Sequence, residues 1–224
     1  PPEAPPADLN WDLFLGPAPK KPYSPSRLRW RAFYDYGGGL ITDWGVHLTD
    51  IVMFYMKADK KQPLLSSATS QYVNFPKDLE QIPDAFSCSW QYDRFVMSFT
   101  NIVPPGFTTN TGQGNWFFGT RGVLHVNRSG YEIYPVAGRG MPGGPTPPPP
   151  AEAKQVPVKE DYQNDPDTTA HARNFLDCVK SRQQPVSGIE VGFNSTLPCL
   201  TGLLAVQQGR SFKWDAAARK AVPV

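Results

Sequence analysis

The run AFSCSWQYDRFVMSFTNIV, residues 85–103, decides the fold class. Apolar and small or polar residues alternate loosely on either side of Tyr92-Asp93-Arg94. Period-two alternation about a polar break predicts two antiparallel strands joined in a hairpin. Working outward, LLSSATSQYVNF (64–75) reads as one more strand on the upstream side. Downstream, NWFFGTRGVLHVNRSGYEIYPV (115–136) divides into three short strands at Gly119-Thr120-Arg121-Gly122 and Asn127-Arg128-Ser129-Gly130, both clusters of turn-forming residues. These segments predict an antiparallel meander of roughly five or six strands.

Helices flank the strands. Residues 39–57 place Leu40, Asp43, His47, Asp50 and Phe54 on one face, at steps of three and four, and Trp44, Leu48, Ile51 and Tyr55 on an adjacent one. DTTAHARNFLDCVKSR starts at Asp167 or Thr168, after Pro166, with Ala172, Phe175, Leu176 and Val179 as its core face. A last helix follows in GIEVGFNSTLPCLTGLLAVQQGR, with Pro198 as a kink and Gly209 as its C-cap. RSFKWDAAARKAVPV gives one short strand and a tail. Residues 137–158, rich in Pro and Gly, read as a long surface loop without regular structure. The class is therefore α+β: an antiparallel-dominated open sheet with helices packed on one face.

The chain of 224 residues can bury a sizeable core. Its formal net charge of +2 is too small to mark nucleic acid or an anionic membrane surface as the main partner. Three dispersed cysteines, Cys88, Cys178 and Cys199, form no CxxC pair and support neither a disulfide framework nor a zinc site. They read as buried free thiols. No run of 18 apolar residues is present, so a soluble chain is expected, cytoplasmic or periplasmic, and the sequence does not separate the two. The opening PPEAPPADLNWDLFLGPAPKKPYSP reads as an extended connector, residues 1–33, with Trp11, Leu13 and Phe14 available to dock; residues 34–224 form the domain proper.

The chemistry concentrates in YDYGGGLITDWGVHLTD, residues 34–50. Spacings of i, i+4 and i+7 put Asp43, His47 and Asp50 within side-chain reach on one side of a helix. A histidine titrates near neutrality, a carboxylate beside it can orient the ring, and a second carboxylate can accept a hydrogen bond from a substrate hydroxyl. That suits proton removal from a polyol or sugar. Gly37–Gly39 allow close backbone approach to a ligand or unusual φ/ψ. A structural Asp–His pair satisfies the same spacing, and so does a metal site. The metal reading wants further ligands, and His125 and His171 have no defined spacing to this helix. Lys20, Lys21, Arg27, Arg29 and Arg31, interleaved with Trp30, Phe33 and Tyr34, could grip a phosphate or a base, but read better as a solvated edge with its aromatics packed inward. No GxGxxG turn is present.

NWDLFLGPAP, YDYGGGLITDWGVHLTDI, FFGTRGVLHVNRSGYEIYP, HARNFLDCVKSRQQPV and GRSFKWD, in that order, resemble the C-terminal half of the Gfo/Idh/MocA oxidoreductases, over about residues 9–215. The resemblance implies a dihydrodipicolinate reductase-like C-terminal domain. It implies His47 as proton-transfer residue, Asp43 as its active-site partner and Asp50 as a substrate-hydroxyl ligand. In the family an N-terminal Rossmann domain holds NAD or NADP and a lysine of an E-K-P motif completes the catalytic group. Neither is expected within this chain, which would then bind no cofactor alone and turn nothing over. The parent would be an NAD(P)-dependent dehydrogenase of a sugar, polyol or derivative, without metal, associating as a homo-oligomer through the β-sheet. An NAD-dependent glycoside hydrolase of the same fold and a non-catalytic assembly module are the alternatives.

Overall fold

A computed structural model describes residues 3–75, 77, 81–102, 114–120, 122–128, 130–135, 154–157 and 166–224. The chain divides into two compact units, residues 1–105 with 189–224, and residues 106–188.

The first unit is built on a five-stranded antiparallel sheet. Its strands are β1 (Leu65–Gln71), β2 (Ala85–Gln91), β3 (Val96–Thr100), β8 (Phe212–Asp215) and β9 (Lys220–Pro223), in the order β3-β2-β1-β8-β9. The β2–β3 hairpin turns where the sequence predicts. Phe86, Cys88 and Trp90 alternate into the core, and Met97 joins them from β3. The opposite face carries hydroxyls in cross-strand register: Ser67 pairs with Ser89 and Ser89 with Ser98, while Thr69 pairs with Ser87 and Ser87 with Thr100. Helices α2 (Gly39–Asp43), α3 (Gly45–Tyr55) and α5 (Ile189–Gln208) cover the core face, with α5 lying on β1 and β2. Trp90, Phe86, Cys88, Ile41 and Met53 are its almost wholly buried centre. α5 is the one helix among the described residues with the length and apolarity of a membrane span, and 44% of that span is buried. A helix lying on a sheet in this way has the apolarity that core packing demands. Pro198 is buried within it, and Gly209 closes it at φ +62° with its N–H on the Ala205 carbonyl.

Several local expectations change. Residues 11–15 are not extended: they form α1 (Trp11–Leu15), capped by Asn10, whose side chain accepts the Leu13 N–H at 2.9 Å. Trp11 stacks on Phe14 and meets Tyr23 edge-on, so the aromatics dock locally while Leu13 stays exposed. The tail after β8 is a strand, since Ala216–Arg219 turn the chain back and β9 pairs with β8 from Phe212↔Pro223 to Asp215↔Lys220. The thiols of Cys88 and Cys199 are buried and free, whereas Cys178 is half-buried. Burial, followed by the neighbouring Cys199, pushes the Cys88 thiol up to about 12, which keeps it protonated and unreactive.

The second unit holds a separate four-stranded sheet, β4 (Asn115–Gly119), β5 (Gly122–Asn127), β6 (Gly130–Pro135) and β7 (Lys154–Pro157), in that order and antiparallel throughout. The strands expected in one meander thus divide between two sheets. The sequence marks the break: Pro104 and Pro105 follow β3, and neither has an N–H to give a ladder. β7 falls inside the stretch expected to lack regular structure, pairing with β6 from Gly130↔Pro157 to Ile133↔Lys154; residues 137–153 and 158 lie outside the described residues. α4 (Pro166–Ser181) begins at the proline itself, so Asp167 and Thr168, expected as its N-caps, lie inside its first turn. Its anticipated core face does not bury: Phe175, Leu176 and Val179 are all about half exposed or more. Amphipathic spacing marks a face that can be covered, and does not by itself supply the cover.

His125 on β5 is buried, its ring tilted 30° against Trp116 at 4.3 Å, with Nδ1 3.8 Å from Glu132 Oε2 and no partner for Nε2 among the described residues. Burial lowers its pKa, and the Glu132 carboxylate offsets only part of that. The folded state therefore prefers neutral imidazole, while the unfolded chain takes a proton near pH 6.5. Stability from this group is complete above about 6.5 and drains away as pH falls from there towards the lowered folded value. Urea unfolding at about pH 8 and about pH 5.5 should show the loss, and His125→Gln should flatten the slope.

Candidate functional site

The site begins with the way α2 and α3 bury themselves. The chain passes through Trp44 in helical conformation (φ −82°, ψ −32°), so the two short helices run on from each other. Beyond Gly39 at the start of α2, the buried positions are Ile41, Gly45, Thr49 and Met53, one every fourth residue. Small residues in that stripe let α5 come close: the Thr49 hydroxyl donates to the Ser195 carbonyl at 2.8 Å, and a Cβ on Gly45 would stand 3.1 Å from Cys199 Sγ. Because 41, 45, 49 and 53 face inward, 43 and 47 are turned to the opposite side and 50 to the flank.

The three candidate residues occupy three environments. His47 is exposed and has no hydrogen-bond partner among the described residues. Asp43, half-buried, forms an ion pair with Arg31, its Oδ2 2.7 Å from Nε. Asp50, exposed, accepts the Ser195 hydroxyl, tying α3 to α5. No hydrogen bond or ion pair joins the three to one another among the described residues, so neither carboxylate holds the His47 ring here. Asp43 reaches a neighbouring guanidinium, and Asp50 keeps lone pairs beyond the one that Ser195 uses.

Arg31 leads to a feature that sequence reading missed. A cavity of about 470 Å³ opens beside the N-terminus of α2, with Arg29, Trp30, Arg31, Phe75, Asp84 and Asn101 in its wall. The basic stretch is thus only partly a solvated edge. Lys20 pairs with Asp12 at 2.5 Å and Lys21 with Asp35 at 2.7 Å, but Arg29 and Arg31 line a concavity. Arg29 sits over the Phe75 ring at 5.5 Å and Arg31 over Trp30 at 5.8 Å. Asp84 accepts the backbone N–H groups of Val73 and Asn74 and the Asn74 side-chain amide, each at 2.7 Å. Burial alone would raise this carboxyl, but those bonds outweigh it together and hold it below the usual carboxylate range. Alternation of Arg with aromatics over 27–34 was the available signal; that Phe75 and Asp84 would close the opposite wall depends on long-range folding.

Gly39 closes the floor of the cavity. It sits at φ +59°, and a Cβ there would lie 2.8 Å from Ile82 Cγ2, so both conformation and space require glycine. The three-glycine run does not build a dinucleotide site. No strand leads into it, and α2 is only five residues long, so it lacks the strand-to-helix turn that seats a pyrophosphate. Among the described residues no group of three His, Cys, Asp or Glu side chains could hold a metal ion.

Comparison with known proteins places this geometry. Residues 1–93 match the model of the oxidoreductase family C-terminal alpha/beta domain. Similar solved structures include an NAD-binding protein from Listeria innocua, 18% identical with a TM-score of 0.53, where the match covers 88% of this chain and 55% of that one. An oxidoreductase from Agrobacterium radiobacter, solved in complex with NAD+, L-tartaric acid and magnesium, is 14% identical with a TM-score of 0.51, covering 78% and 49%. A UDP-N-acetylglucosamine 3-dehydrogenase from Acidithiobacillus ferrooxidans is 14% identical with a TM-score of 0.51, covering 84% and 51%. At these identities the likeness is one of fold, and it supports the α+β, antiparallel architecture. The chain spans about half the length of these structures. No curated protein matches it.

Proposed function

We propose, from the match of residues 1–93 to the Gfo/Idh/MocA oxidoreductase C-terminal domain model, that this chain is the substrate-binding half of an NAD(P)-dependent oxidoreductase acting on a sugar, polyol or derivative. His47 is the proton-transfer residue. It takes the proton of a substrate hydroxyl as that carbon is oxidised, and returns it in the reverse direction. Asp43, one helical turn before it, belongs to the same outward face. Asp50 accepts a substrate hydroxyl. The observation that carries this reading is the exposed imidazole of His47, without a partner among the described residues, on the side of α3 turned away from the core. The dinucleotide, NAD or NADP, is held by residues outside this chain, whose own part is limited to substrate and proton.

The reading is tested on the protein joined to its nucleotide-binding domain, by following nicotinamide absorbance across a panel of sugars and polyols. Turnover of at least one of them is expected; none at all would overturn it. Release of a sugar without net change in absorbance would point to glycoside cleavage instead. Calorimetry on the 224-residue chain with NAD and NADP should give no binding, and micromolar affinity for either would contradict the division of labour. Asp50→Ala should act mainly on KM, since it removes a contact made already in the ground state. The same change removes the acceptor of the Ser195 hydroxyl, so a stability loss of about 1 kcal/mol should accompany it. A fall in kcat with KM unchanged would reassign the residue.

A further inference from the structure

We propose that the cavity beside α2 binds the anionic group of the substrate, so that the sugar taken by this chain carries a carboxylate or a phosphate. The inference rests on the substrate-binding reading above and narrows it. The anchor is Arg31, whose side chain is 52% exposed while lining the cavity. A guanidinium has five N–H donors. Nε forms an ion pair with Asp43 Oδ2 at 2.7 Å, and the four donors on the Nη atoms have no partner among the described residues. Asp43 thus holds the guanidinium on its Nε side and leaves its bidentate Nη edge available. That is the arrangement that recognises a carboxylate or a phosphate.

The rest of the wall favours a sugar over a bare anion. Trp30 is 47% exposed, Phe75 39% and Leu40 38%, and all three line the cavity. An inorganic ion would leave these faces wet, whereas the C–H face of a sugar ring covers them. The volume lies within the range of small-molecule sites. The other polar groups of the wall are committed. Asp84 is held by three N–H donors, and Asn101 donates its amide to the Asp84 carbonyl and accepts the Phe86 N–H. They shape the cavity and leave charge recognition to the guanidinium. The link to the proposed chemistry is covalent and short: Asp43, which orients Arg31, stands four residues before His47 on the same run of helix.

The test is titration calorimetry of the 224-residue chain with glucuronate, glucose 6-phosphate and glucose. One of the two anions should bind about tenfold more tightly than glucose, or better, and which one does so distinguishes carboxylate from phosphate. Arg31→Gln should erase that preference, Arg31→Lys should restore part of it, and Asp43→Asn should weaken it less than Arg31→Gln does. Melting temperatures of the three variants, measured alongside, separate lost binding from lost folding. Glucose binding as tightly as both anions, or Arg31→Gln leaving a folded protein with its preference intact, would overturn the inference while the substrate-binding reading stands. Binding of none of the three would overturn the cavity assignment, and the nicotinamide assay would then decide the broader reading independently.

Discussion

If the proposed function holds, replacing His47 with alanine should lower kcat, measured on the chain joined to a nucleotide-binding domain, by about a hundredfold or more, the usual loss when a general acid–base group is removed. The loss should fall on kcat and kcat/KM alike, because the group removed would act on the transferred proton only in the transition state. The melting temperature of the isolated chain should hardly move. His47 is exposed and makes no hydrogen bond among the described residues, and surface substitutions of that kind usually fall within about 0.5 kcal/mol. The two readouts together discriminate between roles. If the substitution unfolds the chain, or leaves turnover intact, His47 is structural and the proposed chemistry fails.

The opposite pattern is expected at Trp90. Its side chain is fully buried between β2 and α5, and truncation to alanine should destabilise the first unit by about 3–5 kcal/mol. For a protein of this size that is a fall of about 10 °C in melting temperature. α5 reaches the ring through Gly202, where a Cβ would stand 2.8 Å from Trp90 Cζ2 and 3.2 Å from Cys88 Sγ. Gly202→Ala alone should therefore cost about 1–3 kcal/mol through overpacking. Combined with Trp90→Ala, the added methyl enters space that the indole has left, so the two losses should sum to less than their total. Strict additivity in a thermal or urea double-mutant cycle would mean that the helix does not rest on the ring at this point.

Much of this architecture is legible in local sequence, for a physical reason. The hairpin at 92–94 and the turns at 119–122 and 127–130 are set by residues that are adjacent in the chain. The same holds for the start of α4 at Pro166 and the end of α5 at Gly209. Features decided by remote partners were not legible. The inward stripe of α2 and α3 is Ile41, Gly45, Thr49 and Met53, and two of these four carry no hydrophobic label; their burial follows from α5 arriving more than a hundred residues later. Asp43 was expected beside His47, yet its ion pair is with Arg31, a cation from the preceding loop at 2.7 Å. The cavity joins segments near 30, 40, 75, 84 and 101, and no periodicity connects them. α4 errs the other way, since a regular apolar stripe was present and its residues stay exposed.

The serine and threonine rows on the face of the first sheet opposite its helices have a thermodynamic consequence. The rows Ser67, Ser89, Ser98 and Thr69, Ser87, Thr100 are hydroxyl-bearing surface that water wets without penalty. Association of two copies across such a face would exchange hydrogen bonds with water for hydrogen bonds between hydroxyls, and would dehydrate little hydrocarbon. Its heat-capacity change should be small, since a large negative value is the mark of apolar burial. Its affinity should accordingly vary little in its temperature slope, unlike that of an interface closed by leucines and phenylalanines.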